Sequence, residues 1–240
     1  MSEKNHTAIV FDFDGLLIDT EIIHIRSWEE FFRSIHVKAE RSAFSQGVGK
    51  SDVDFAEILR RQFALDLSVG EIVRRKADLY RRMLAVEPLA PEPGVAELID
   101  SCASVGFPIA VASSSVRFEV ELGLRRMFEA MGKGTSTREV FRAVCCGDEV
   151  EKRKPAPDLY LLAAQRLELP PAACLALEDS PDGSRAALAA GMQCIAVVSE
   201  YTRGMEFPAG IREIDSVAEI ASNPVAFRLP VPVREGPRAG

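Results

Sequence analysis

Phe11-Asp12-Phe13-Asp14-Gly15-Leu16-Leu17-Ile18-Asp19-Thr20 continues the apolar run Ala8-Ile9-Val10-Phe11. An apolar run that ends in two carboxylates, one residue apart, reads as a buried strand whose carboxyl end carries charge. Strand side chains alternate between faces, but at a strand end the chain bends and lets Asp12 and Asp14 converge. Gly15 permits that turn. Two hard oxygen donors at such a point suit a magnesium ion, and one of the two is able to act as a nucleophile.

Outward from this strand the pattern changes twice. From Glu21 to about Leu89 the apolar residues recur at helical spacing: Trp28, Phe31, Phe32 and Ile35; then Phe55, Ile58, Leu59 and Phe63; then Ile72, Val73, Leu79, Tyr80, Met83 and Leu84. No strand candidate interrupts them. Pro88, Pro91 and Pro93-Gly94 then punctuate the chain. Beyond them short apolar runs at 108–112, 143–146, 174–177 and 194–197 alternate with helical segments near 95–105, from 116, 158–167 and 184–190. That alternation predicts a parallel sheet with right-handed crossovers, an α/β doubly wound domain. The helical block is an insertion after the first strand. The boundaries expected are residues 1–20 and 90–240 for the core and 21–89 for the insertion. Gly132–Thr137 reads as a short surface loop, and the Pro- and Arg-rich tail from Pro224 as loosely ordered.

The chain has 240 residues and a formal net charge of -7. An acidic balance argues against nucleic acid as partner, since phosphate tracking needs a basic excess. It leaves room for a small anionic ligand in a local positive pocket. The five cysteines form no CxxC pair and no zinc-ligand spacing, which reads as buried, reduced thiols in a reducing compartment. No apolar stretch approaches the roughly 20 residues of a membrane helix, and no signal peptide precedes residue 8. A cytoplasmic monomer without membrane or nucleic-acid partners is expected.

Open α/β sheets bind ligands at the carboxyl ends of their strands. The first strand delivers Asp12 and Asp14 there, the second Ser113-Ser114-Ser115 opening a helix. The third leads through Gly147-Asp148 to Lys154, stiffened by Pro155 and Pro157, and the fourth delivers Glu178-Asp179-Ser180 with Gly183 beyond. A serine hydroxyl with helix N-terminal amides makes a phosphate cradle. Taken singly each group also reads as structure: a turn, a cap, an exposed lysine. Together, in this order, they describe an acidic site beside a phosphate-sized, positively charged hole.

These motifs resemble those of the haloacid dehalogenase superfamily over nearly the whole chain: Asp12–Thr20 the first, Ser113 the second, Lys154 the third, Glu178-Asp179 the fourth. More narrowly, Asp14–His24 and Leu177–Gly183 are similar to the branch that holds beta-phosphoglucomutase and small sugar-phosphate phosphatases. The resemblance implies a Rossmann-like core with an inserted helical cap. It implies Mg²⁺ held by the Asp12 carboxylate, the Asp14 backbone carbonyl and Asp179, with Glu178 binding directly or through water. Asp12 is the implied nucleophile, forming an aspartyl phosphate. Asp14 is the implied acid and base, a residue that dehalogenases and phosphonatases lack. Ser113, the Ser114 amide and Lys154 are implied to hold the phosphoryl oxygens.

Substrate choice is expected of the cap, with His24, Lys50 and Lys76 as candidates. The mutases place arginine where this chain has Lys50, and lysine grips a second phosphate less rigidly. For His24 a structural hydrogen bond is the competing reading, and Arg74, Arg75, Arg81 and Arg82 read as a solvated helix face. The expectation is a Mg²⁺-dependent phosphatase of a small phosphorylated metabolite, a sugar phosphate. A phosphomutase is the alternative, and a non-catalytic phosphate-binding regulator a third.

Overall fold

The computed structural model describes residues 5–47, 51–134 and 137–232. The chain forms two compact units: Met1–Asp19 with Pro88–Gly240, and Thr20–Glu87. Strand β1 (Ala8–Phe11) is followed by four helices of the second unit, α1 (Glu21–Ser34), α2 (Arg41–Ser45), α3 (Asp52–Gln62) and α4 (Val69–Val86). The first unit resumes with α5 (Val95–Ser104), β2 (Ile109–Ala112), α6 (Arg117–Ala130), α7 (Thr137–Val140) and β3 (Ala143–Cys145). It continues with α8 (Asp158–Leu167), β4 (Cys174–Glu178), α9 (Pro181–Ala189), β5 (Gln193–Val197), β6 (Arg212–Ile214) and α10 (Val217–Ser222).

The six strands lie in the order β3-β2-β1-β4-β5-β6, and every pairing is parallel. This is the doubly wound α/β sheet that the strand–helix alternation predicts. The order reverses between β1 and β4, the point at which such sheets open a crevice for ligands. β1, β2 and β4 are buried along their whole length, as strands covered on both faces must be. On one face Ala8 and Val10 join Leu159, Tyr160, Ala163 and Leu167 of α8 and Ala186 and Ala187 of α9. On the other, Phe11 packs edge-on against Phe141, which meets Phe128 of α6. Among these, Val10, Leu159, Leu167, Phe11, Phe128 and Phe141 each stabilise the unit by about 1.5–3 kcal/mol through burial.

The helical unit is built on aromatic contacts. Trp28 packs edge-on against Phe31 and Phe55, and Phe32 against Phe44 and Phe63, joining α1 to α2 and α3. Ser51 and Ser68 cap α3 and α4 by accepting the amides of Asp54 and Glu71. Ile58 departs from its expected stripe and is 42% exposed.

Three readings of the sequence need correction. Helix α9 starts at Pro181, not Ser184, because Ser180 caps it and proline tolerates the first helical position. β6 and α10 had no apolar run to announce them: β6 is an edge strand with Arg212 and Glu213 exposed. The tail is not loose where it is described. Pro224–Phe227 forms a 3₁₀ turn, Phe227, Leu229 and Val231 are buried, and the Arg212 guanidinium lies 3.8 Å from the Phe227 ring centroid. No helix among the described residues is long and apolar enough to cross a membrane.

Candidate active site

β1 stops pairing as the chain turns, but the Asp12 amide still donates to the Leu177 carbonyl at 2.9 Å. That bond fixes Asp12 beside the end of β4. Gly15 then turns with φ 76°. A side chain at Gly15 would also strike the Asp179 carboxylate, so glycine is required there for both backbone and space.

From the end of β2, Ser113 donates its amide to the Cys145 carbonyl at 2.9 Å. Its hydroxyl lies 3.2 Å from Asp14 Oδ2 and accepts the Ser115 amide at 3.0 Å. Ser115 Oγ donates to the same Asp14 oxygen at 2.7 Å. The serine run does not itself open the helix: α6 begins at Arg117, whose amide is taken by Asp148 at 3.0 Å. Ser114 sits in the turn between its neighbours.

Lys154 enters from the loop after β3. Its ammonium, almost wholly buried, donates to Asp12 Oδ1, to Glu178 Oε1 at 2.6 Å and to the Ala112 carbonyl at 2.8 Å. Tyr160 of α8 donates its hydroxyl to Glu178 Oε1. Its ring lies 5.0 Å from the ammonium. The other Glu178 oxygen accepts Ser180 Oγ at 3.0 Å. A side chain at Gly183 would fall on the Glu178 carboxylate; α9 can begin here only with that position bare.

Burial pushes the Asp12 carboxyl up to about 8, against the pull of Lys154 and with the push of Glu178 and Asp14. Burial alone would lower the Lys154 pKa, but the Asp12 and Glu178 carboxylates outweigh it and raise it. Burial and the Glu178 carboxylate raise Tyr160 well above its ordinary value. Acidic groups thus outnumber the single ammonium in a dehydrated site, and uncompensated buried charge is costly.

Ligand atoms of Asp12, Glu178 and Asp179 lie within 4.8 Å of one another, all buried. Their oxygens are hard donors, and their surplus negative charge is what a hard divalent cation would balance. The donor set fits Mg²⁺ and offers nothing soft.

The structure therefore brings Asp12, Asp14, Ser113, Lys154, Glu178 and Asp179 to neighbouring strand ends. His24 and Lys76 meet each other in the helical unit. Lys76 Nζ is 2.6 Å from His24 Nδ1 and donates to Asp52 Oδ1 at 2.8 Å, with the Trp28 and Tyr80 ring centroids 5.5 and 5.1 Å away. Lys50 lies outside the described residues. Arg74, Arg75 and Arg81 make ion pairs along the helix surface with Asp78 and Glu71. All five cysteines are buried and free; burial pushes Cys102 up to about 12, far from thiolate chemistry.

Sequence reading placed Ser115 at a strand end but gave it no role, and it missed Tyr160 and Asp52. Tyr160 left a signal: it stands in the apolar stripe of α8, and a buried tyrosine hydroxyl needs a partner. Ser115 and Asp52 left none, since their partners are 101 and 24 residues away.

The family model of the haloacid dehalogenase-like hydrolases matches residues 9–197. Protein CbbY of Cereibacter sphaeroides is 36% identical over 221 residues, covering 89% of this chain and 93% of that protein. The fructose-1-phosphate phosphatase YqaB of Escherichia coli is 31% identical over 198 residues, covering 81% and 97%. The crystal structure of a substituted CbbY from Rhodobacter sphaeroides in complex with xylulose-(1,5)bisphosphate superposes with a TM-score of 0.78 at 34% identity, covering 90% of this chain and 96% of that one.

Proposed function

This chain belongs to the haloacid dehalogenase-like hydrolases, and from that premise we propose that it is a Mg²⁺-dependent phosphatase of a small sugar phosphate. The observation that carries this reading is the Asp12–Lys154–Glu178 cluster beside Asp179, with Asp14 held by two serines. The relatives support the class of substrate: one is named for fructose 1-phosphate, and another holds xylulose-(1,5)bisphosphate.

Unaided phosphate monoesters hydrolyse so slowly that enzymes accelerate them up to roughly 10²¹-fold. Here the barrier is divided in two. An Asp12 carboxylate oxygen attacks phosphorus while the ester P–O bond breaks, and Asp14 gives its proton to the departing alkoxide. Water then attacks the aspartyl phosphate, returns a proton to Asp14 and releases inorganic phosphate, leaving Asp12 as carboxylate. Such proton transfers are worth about 10²–10⁴ in rate. Ser113, the Ser114 amide and Lys154 hold the phosphoryl oxygens, and Lys154 keeps the Asp12 carboxylate from repelling them.

Asp12, Asp179 and the Asp14 carbonyl would hold Mg²⁺, which would neutralise charge on the transferring group and favour the ionised Asp12 carboxylate. Glu178 already receives Tyr160, Lys154 and Ser180, which favours contact with the metal through water. We read Thr20–Glu87 as the cap and the other unit as the catalytic core. The Lys76 bonds to Asp52 and His24 support a structural share in that cap.

Phosphate release from a panel of sugar phosphates, with and without Mg²⁺, tests the proposal. Release from at least one pentose or hexose phosphate, lost with chelator, is expected. No release from any member sinks it. Bisphosphate-primed interconversion of hexose 1- and 6-phosphates would instead make it a mutase.

A further inference from the structure

Asp14 receives two hydroxyls on one oxygen, and the two serines that provide them are not equivalent. Ser113 is the serine assigned to the phosphoryl group. A hydroxyl has a single proton to donate, so when Ser113 turns its proton to a phosphoryl oxygen it gives up the bond to Asp14 Oδ2. The Ser115 hydroxyl, which makes the shorter contact at 2.7 Å against 3.2 Å, is the one left on that oxygen.

Ser115 is also fixed from both sides. Its amide donates to Ser113 Oγ at 3.0 Å, and its carbonyl accepts the Gly147 amide at 2.8 Å. These two bonds hold the Ser115 backbone, so its hydroxyl reaches Asp14 from a fixed Cα.

We propose that Ser115 is a positioning residue that keeps the Asp14 carboxyl aimed during phosphoryl transfer, after Ser113 has turned to the phosphate. The inference rests on Asp14 being the acid and base of the reaction. The residue touches neither the phosphoryl group nor the leaving oxygen in this role; it acts through Asp14.

The consequence is specific to the leaving group. An alkyl phosphate expels a strongly basic alkoxide and depends on a well-placed proton. 4-Nitrophenyl phosphate expels a weakly basic phenolate and scarcely depends on one. kcat/KM isolates this step, because it reports events only up to formation of the aspartyl phosphate. A loop staple with no aiming role would instead change both esters by the same factor.

The test compares kcat/KM for the best sugar phosphate and for 4-nitrophenyl phosphate, with Mg²⁺, in the wild type, Ser115→Ala, Ser115→Thr, Asp14→Asn and the Ser115→Ala/Asp14→Asn double variant. The loss in Ser115→Ala should be at least about tenfold larger on the sugar phosphate than on the aryl ester, within the about 10²–10⁴ that proton transfer can supply. Ser115→Thr, which keeps the hydroxyl, should recover most of it. In the double variant the serine change should add no further discrimination between the esters, because residues acting as one unit are not additive.

Equal losses on both esters, or an undiminished Ser115→Ala enzyme, overturn the proposal while the phosphatase reading stands. If Asp14→Asn itself shows no leaving-group dependence, the acid–base assignment falls and the Ser115 role with it. A wild type inert on every ester removes both.

Discussion

Each of the two units buries a lysine against a carboxylate, and the two clusters differ in how their charge is balanced. In the core, Lys154 faces two nearly inaccessible carboxylates, Asp12 and Glu178, with Asp179 beside them and one ammonium among them. In the helical unit, Lys76 meets a single carboxylate among the described residues, Asp52, which is 37% exposed. His24 and two aromatic rings complete its surroundings. The first cluster holds surplus negative charge away from water; the second is close to neutral, and its carboxylate is within reach of water. A buried ion pair is poor evidence for stability or for function. Surplus charge held at converging strand ends is better evidence for chemistry.

Asp12→Asn should show the largest effect: loss of the proposed nucleophile should lower kcat by at least about 10⁴-fold, the range covalent catalysts lose with their attacking group. Undiminished phosphate release by this variant would break the contrast outright.

Next come the two lysines, each replaced by methionine and followed by urea unfolding. Lys154→Met strands Asp12 and Glu178 without their counter-ion and should cost about 3–5 kcal/mol. Lys76→Met leaves an apolar chain between Trp28 and Tyr80 and lets Asp52 turn to water. It should cost about 1 kcal/mol or less, because the carboxylate left behind is 37% exposed and can be hydrated. Equal costs would mean that the two clusters are the same kind of object.

The smallest effect belongs to a cluster at the surface. Burial pushes the Glu149 carboxyl up, but hydrogen bonds from Arg166 and the Cys146 amide and the charges of Arg117 and Arg166 win and hold it at about 2 rather than 4.5. A depressed carboxyl contributes stability above its unfolded pKa and loses it as pH falls through the folded one. Glu149→Gln should therefore be less stable than the wild type by about 0.5 kcal/mol above pH 4.5, after solvent screening. The gap should close as pH falls towards 2. A gap that widens on acidification would reverse the assignment.

Much of the strand-end cluster was legible in the sequence because its residues follow directly on the strands' apolar runs. Asp12 and Asp14 follow directly on the run that names β1, and Glu178-Asp179 directly on the run that names β4. Lys154 was legible through its neighbouring prolines. What escaped depends on register between distant segments. Ser115 was placed at the end of its strand, but nothing near it indicates that its hydroxyl turns to Asp14. Nothing in Lys76 names Asp52. Arg212-Glu213-Ile214 failed for another reason: an edge strand paired on one side needs no continuous apolar run. The buried tail beyond Pro224 failed because its apolar residues alternate with proline and arginine, a composition that reads as solvent-facing.

The core also holds the two ends of its insertion together. The amide of Glu92 donates to the carbonyl of Leu17 at 2.9 Å, and Ile18 and Pro91 form an antiparallel bridge. For the sheet, everything between them is a single hairpin loop. Closing such a loop costs only about 0.6 kcal/mol more for each doubling of its length. The segment between these anchors is therefore a cassette: its coding sequence can lengthen, shorten or be exchanged between lineages while β1 and β2 keep their register. Heredity can then revise the insertion and the strand-end chemistry separately.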